Sequence, residues 1–214
     1  MKLFPRAADV VNISPTFGSD DYRIFENVLG EDFRIGLFYD EQGKFYLKYG
    51  DQEKNIFPGE ETALETFADK LQRMTTLHKT FEEYTKFLTA AKPETGIMLF
   101  GVLYGYNRFH GEIQNTKRYS SRAHYFRVRN SAVLHEGAEN WKVLDHQAQE
   151  TLLHPFGLMG LPYLYKGELT EDVIQDVFTH GESVIAQEHG ELNPPKRKGL
   201  WCQNVDNSQM IYTV

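Results

Sequence analysis

The chain has 214 residues, 41% hydrophobic and 25% charged, with a formal charge of −7. That length suits one domain with a single core, and the acidic balance argues against indiscriminate nucleic-acid binding, which needs a field of Lys and Arg. Cys202 is the only cysteine, so no internal disulfide forms, and neither a signal segment nor a run of about 18 apolar residues occurs. A soluble, cytoplasmic protein without membrane contact is expected.

Residues 22–50 alternate Phe-, Tyr- and Ile-rich runs with Gly turns, notably Glu41-Gln-Gly43, and predict strand, turn, strand, turn, strand. Residues 60–91 switch to helical spacing, with Leu64, Phe67 and Leu71 on one face, and a second helix starts near Thr80. The continuous apolar run Gly96–Tyr104 has the pattern of a strand buried on both faces. His124–Arg129 alternates like a strand with one wet face, and Trp141–Leu144 is a candidate to pair with it. Thr170 is placed to cap a helix reaching about His180 and closed by Gly181. Three final strands are expected at Ser183–Gln187, Gly199–Gln203 and Met210–Val214, with a polar loop at Glu188–Lys198. Strands joined by hairpins make the class α+β with mainly antiparallel sheets.

The eight histidines show no zinc-site spacing, and Cys202 has no cysteine partner. No P-loop, Gly-x-Gly-x-x-Gly or Gly-x-Ser-x-Gly segment occurs, so no metal site is expected. Cys202 falls in a predicted buried strand, where inert packing is the common role. The densest basic stretch is Lys117, Arg118, Arg122, Arg127 and Arg129, interleaved with Tyr119, His124, Tyr125 and Phe126. That mixture suits single-stranded RNA, whose bases stack on aromatics while phosphates meet cations. A strand with one solvated face explains the same pattern. Pro194–Lys198 is a shorter basic patch that equally fits an exposed hairpin tip.

Taken in order, several segments resemble the nucleotidyltransferase domain of RNA ligases. Glu26-Asn27-Val28-Leu29-Gly30 stands where that family carries Glu-Lys-x-Asp-Gly, whose lysine takes AMP from ATP. Phe100–Gly105 matches a strand ending Gly-Glu-hydrophobic-Tyr-Gly, and Phe126-Arg-Val128 loosely matches a Phe-Asp-aliphatic strand. Leu161–Leu169 fits a Pro-x-Leu-x-x-Gly-x-Leu segment, and Lys198-Gly-Leu-Trp201 stands for Glu-Gly-hydrophobic-hydrophobic. Met210–Thr213 matches the family's last strand in position only. The resemblance implies an RNA-ligase-type nucleotidyltransferase (adenylation) domain over residues 1–214, two mainly antiparallel sheets around a central groove with outer helices, and no separate C-terminal module.

Each departure from the family pattern removes a chemical group. The nucleophile becomes Asn27, whose amide nitrogen is delocalised and cannot attack phosphorus. The acidic position becomes Leu29, one strand glutamate becomes Val102, and the second becomes Lys198. Mg²⁺ needs oxygen ligands. A cation at Lys198 opposes such an ion, since two unit charges a few ångströms apart interact at ~4 kcal/mol at an effective dielectric near 20. No catalytic residue is expected at these degenerate positions, and no cofactor is required.

Three readings follow. A catalytically inactive RNA-ligase-like protein would bind ATP, another nucleotide or RNA through Glu26, Asn27, Gly30, Lys48, Phe126 and Lys198, with Leu29 and Val102 lining the remnant groove. An active ATP-dependent RNA ligase would use a displaced lysine, Lys48 or Lys198. A non-catalytic interaction or inhibitor protein would fill the groove with apolar side chains and bind a protein partner.

Overall fold

The structure is a computed structural model that describes residues 22–39, 45–50, 96–107, 111–114, 116–120, 123–134, 141–154, 157–179, 181–204 and 209–213. Its elements are β1 (Tyr22–Glu26), β2 (Glu31–Tyr39), β3 (Phe45–Gly50), β4 (Gly96–Asn107), β5 (Gly111–Glu112), β6 (His124–Leu134), β7 (Lys142–Val143), α1 (His146–Leu153), β8 (Met159–Gly160), β9 (Tyr163–Gly167), α2 (Glu171–Thr179), α3 (Val184–Glu188), β10 (Gly199–Asn204) and β11 (Gln209–Thr213). One sheet has four strands in the order β11-β10-β1-β9. The other has seven, in the order β3-β2-β4-β6-β7, with β5 on β4 and β8 on β6. The β1–β10, β1–β9, β10–β11, β2–β3, β4–β5 and β6–β7 pairs are all antiparallel. The chain forms two compact units. Of the described residues, the first takes those within 32–101 and 128–160 and the second those within 22–31, 102–127 and 161–213, so β4 and β6 each contribute to both. The expected helices over residues 60–91 and the turn at Glu41–Gly43 lie outside the described residues.

In the first unit, alternation along β2 buries Phe33, Ile35 and Leu37. Met98, Phe100 and Ala132 form a cluster covered by Trp141 and Val143, and Ala132 pairs with Val143 across β6–β7. The Trp141–Leu144 segment therefore does pair with the strand that begins at His124. Helix α1 is capped by Asp145, whose side chain accepts the Ala148 N–H at 2.9 Å. Arg129 pairs with Asp32.

In the second unit, β1 is the central strand and its side chains alternate between two clusters. Tyr22 and Ile24 pack with Leu169, Ile174, Leu200 and Cys202 under α2, while Phe25 meets Leu161 and Trp201. Thr170 caps α2 as its sequence position predicts, its hydroxyl accepting the Val173 N–H at 3.2 Å. Burial pushes the Cys202 thiol up to about 12, so it is an inert core group. Strands β10 and β11 form where expected.

The expected strand at Ser183–Gln187 is instead helix α3. Ser183 is its N-cap, accepting the Ala186 N–H at 3.1 Å, and the carboxylate of Glu26 accepts the Val184 and Ile185 N–H groups at 2.7 and 3.2 Å. Three N–H groups that a helix start leaves orphaned thus find acceptors. That tertiary cap decides the conformation of a short Val-Ile-Ala run whose local preference is for strand.

Candidate functional site

The segment Glu26–Gly30 leaves the end of β1 and is held at both sides: the Glu26 N–H donates to Pro162 O at 2.9 Å and the Asn27 N–H to Gly199 O at 3.0 Å. Glu26 is fully buried, with Oε2 committed to α3 and Oε1 without a hydrogen-bond partner among the described residues. Burial raises its pKa above the ordinary 4.5, outweighing the opposing pull of Ser183, the Ile185 and Val184 N–H groups and Arg197. Folding therefore takes up a proton here in mildly acidic solution. Glu26 contributes most to stability below about pH 4.5, and the contribution is lost as pH rises through the folded pKa. Chemical denaturation should show the wild type gaining on Glu26→Gln as pH falls from neutral, with the gain levelling off once the unfolded carboxyl is also protonated. A difference independent of pH would contradict this.

Asn27 and Val28 are buried as well. Val28 and Val102 belong to one cluster with Tyr104, Tyr119, Ile185 and Ala186, and Val102 has no exposed surface. Gly30 packs directly on β4. A Cβ there would collide with the Leu103 carbonyl oxygen and come within 2.8 Å of Val102 Cγ2. The close approach that Gly30 permits is thus made by the protein's own backbone. Lys198 is exposed and precedes Gly199, so it lies beside the Asn27 segment. Phe126 is buried on β6 and, by strand alternation, faces away from the side that carries Tyr125 and Arg127. Lys48 is exposed on β3 in the first unit. Arg197, within the Pro194–Lys198 basic patch, donates to the Val177 carbonyl in the last turn of α2, where a cation complements the helix end.

The basic cluster divides. Arg127 is only 3% exposed and pairs with Glu188, and Arg129 pairs with Asp32. Neither presents the solvated cation that its sequence position suggests. Arg122 lies outside the described residues. Lys117 and Arg118 are exposed, on a loop that folds over β4. Gly105 makes this possible: its φ is 105°, its N–H donates to Thr116 Oγ1 at 2.7 Å, and a Cβ would strike the Ala123 carbonyl. Lys117 Nζ lies 4.6 Å from the Tyr106 ring centre and the Arg118 guanidinium 5.3 Å from that of Tyr119.

Sequence spacing gives no sign of a second group of side chains. Tyr104 Oη lies 2.7 Å from His189 Nε2, Arg127 Nε donates to Tyr104 Oη at 3.4 Å, and the Tyr125 and His189 rings stack at 3.9 Å. His189 follows α3, and its partner Tyr104 is 85 residues away in sequence. Burial pushes the Tyr104 phenol up to about 12, and burial together with Arg127 lowers the His189 pKa below 6.5. Tyr104 is therefore protonated and His189 neutral near pH 7.

No protein-family model and no curated protein matches the chain. Solved structures do. A lysine-to-alanine variant of the Naegleria gruberi RNA ligase with ATP and manganese aligns with a TM-score of 0.62 at 13% identity, over 92% of this chain and 50% of that one. The same ligase with pyrophosphate gives 0.59 at 13% identity, over 92% and 50%. An apo aspartate-to-alanine variant gives 0.58 at 13% identity, over 98% and 60%. This chain thus spans about half the length of the first two ligase chains. The fold is that of an RNA-ligase-type nucleotidyltransferase domain. Among the described residues, no helix is long and apolar enough to cross a membrane.

Proposed function

We propose that this chain is an RNA-ligase-like protein without nucleotidyl-transfer activity that binds RNA, or a nucleotide, on the scaffold it keeps. The observation that carries the first half is Val102, sealed at 0% exposure among Val28, Tyr104, Tyr119, Ile185 and Ala186. By the resemblance, a metal-supporting carboxylate belongs there, and an aliphatic side chain offers a divalent ion no ligand. Asn27, at the position of the nucleophile, is buried and carries no amine. Glu26, the carboxylate that precedes Asn27 in sequence, is committed to α3. These residues do not fit a metal ion.

The binding half is supported by what remains exposed. Lys117 and Arg118 stand over aromatic rings, and Lys198 is exposed beside the Asn27 segment. Cations beside rings suit a single strand better than a mononucleotide, because phosphates and bases are engaged at separate points.

Lys198 also favours a second reading, in which it accepts AMP as a displaced nucleophile. Intact-mass measurement after incubation with ATP and Mg²⁺ or Mn²⁺ separates the two. The expected mass is unchanged, while titration with a 5′-phosphorylated RNA oligonucleotide gives saturable binding that Lys198→Ala weakens. An AMP adduct mapped to Lys198 or Lys48 would establish the active enzyme. Neither adduct nor binding would leave the scaffold to a protein partner.

A further inference from the structure

We propose that Tyr125 and His189 form a preorganised platform on which an unpaired RNA base stacks. This rests on the RNA-binding reading above and assigns the base contact. Tyr125 is 36% exposed although it sits within a strand whose neighbours Phe126, Arg127 and Val128 are buried. Its ring stacks on that of the half-buried His189 with 3.9 Å between centres and 28° between planes. Tyr104 stacks on Tyr125 from within at 6.1 Å, and Tyr119 meets Tyr104 edge-on at 6.3 Å. An exposed aromatic ring backed by two others is stiff, so a base can stack on it without first ordering it.

The polar atoms beneath hold the platform in one state. Arg127 can only donate, so Tyr104 Oη accepts from it and the phenol proton points to His189 Nε2. A neutral His189 whose Nε2 accepts carries its own proton on Nδ1. Nδ1 has no protein partner among the described residues and offers a hydrogen-bond donor at the edge of the stack. The charges below cancel: Arg127, 3% exposed, pairs with Glu188. An ion pair whose acidic partner reaches solvent is a weak source of stability, and here it fixes the tyrosine that fixes the histidine. The acidic side chain that acts on His189 is Glu191, which disfavours a phosphate at the ring and leaves the base as the group for this position. The phosphates have Lys117 and Arg118. Arg118 lies over Tyr119 and so belongs to the same run of rings. Rings, a hydrogen-bond donor and flanking cations are the groups that meet the bases and phosphates of a single strand.

The test uses the full chain and a ten-nucleotide single-stranded oligoadenylate, end-labelled for anisotropy, with a second version carrying 2-aminopurine to report stacking. The wild type should bind and quench the 2-aminopurine. Tyr125→Ala should weaken binding about ten-fold and abolish the quench, and Tyr125→Phe, which keeps the ring, should retain both. Lys117→Ala with Arg118→Ala should flatten the salt dependence while bound oligonucleotide stays quenched. If the wild type binds and Tyr125→Ala matches it in affinity and quench, the platform is wrong and RNA binding stands. If the wild type does not bind, both fail.

Discussion

Val102→Glu, which restores the side chain that the ligase resemblance calls for, should destabilise the protein by about 4 kcal/mol and restore no adenylation, even combined with Asn27→Lys. Val102 is wholly buried and its neighbours Val28, Ile185 and Ala186 are aliphatic. A carboxylate there must ionise in a desolvated, largely apolar setting or remain protonated. Asn27 is equally enclosed, so a lysine at that position has to bury its amine or displace the strand end. Urea denaturation measures the first effect and intact mass the second. A loss below about 1 kcal/mol, the range of surface substitutions, would show that Val102 borders open solvent space and would reopen the catalytic reading.

Gly30→Ala should cost about 3 kcal/mol, at the upper end for overpacking. The added Cβ meets the Leu103 carbonyl, which is backbone and cannot rotate aside, with Val102 Cγ2 at 2.8 Å. Gly157→Ala is the informative contrast. Gly157 has φ 63° but no atom within 4 Å of the added Cβ, so only left-handed strain of roughly 1–2 kcal/mol applies. Equal losses at the two positions would mean that β4 can yield, and that the fit of Gly30 against it is loose.

The fold was largely legible because its strands advertise themselves. The apolar run of β4 and the alternation of β1 are local patterns, and each predicts its own burial. Thr170 is a local cap signal and worked for the same reason. Helix α3 was not legible because the group that caps it, Glu26, is 158 residues away. The site suffers the same limit. Arg127 and Arg129 read as surface cations because their partners, Glu188 and Asp32, lie 61 and 97 residues off in sequence. Asn27 and Val102 could be recognised as substitutions in a motif, yet the enclosure of Val102 depends on Ile185 and Ala186 of α3, a segment whose local pattern predicts strand. His189 is one of eight histidines, and only its contacts with Tyr104 and Tyr125 distinguish it.

The place of β1 in its sheet bears on how the chain is made. Its two neighbours, β9 and β10, come from the far end of the sequence. At about 5–20 residues per second, the ribosome takes on the order of ten seconds to deliver them. Throughout that interval Tyr22, Ile24 and Phe25 have neither a strand on either edge nor the clusters that will cover them. A nascent chain in that state is a template for pairing with another copy, so yield during synthesis should depend on chaperone occupancy of the first thirty residues more than on the stability of the finished fold.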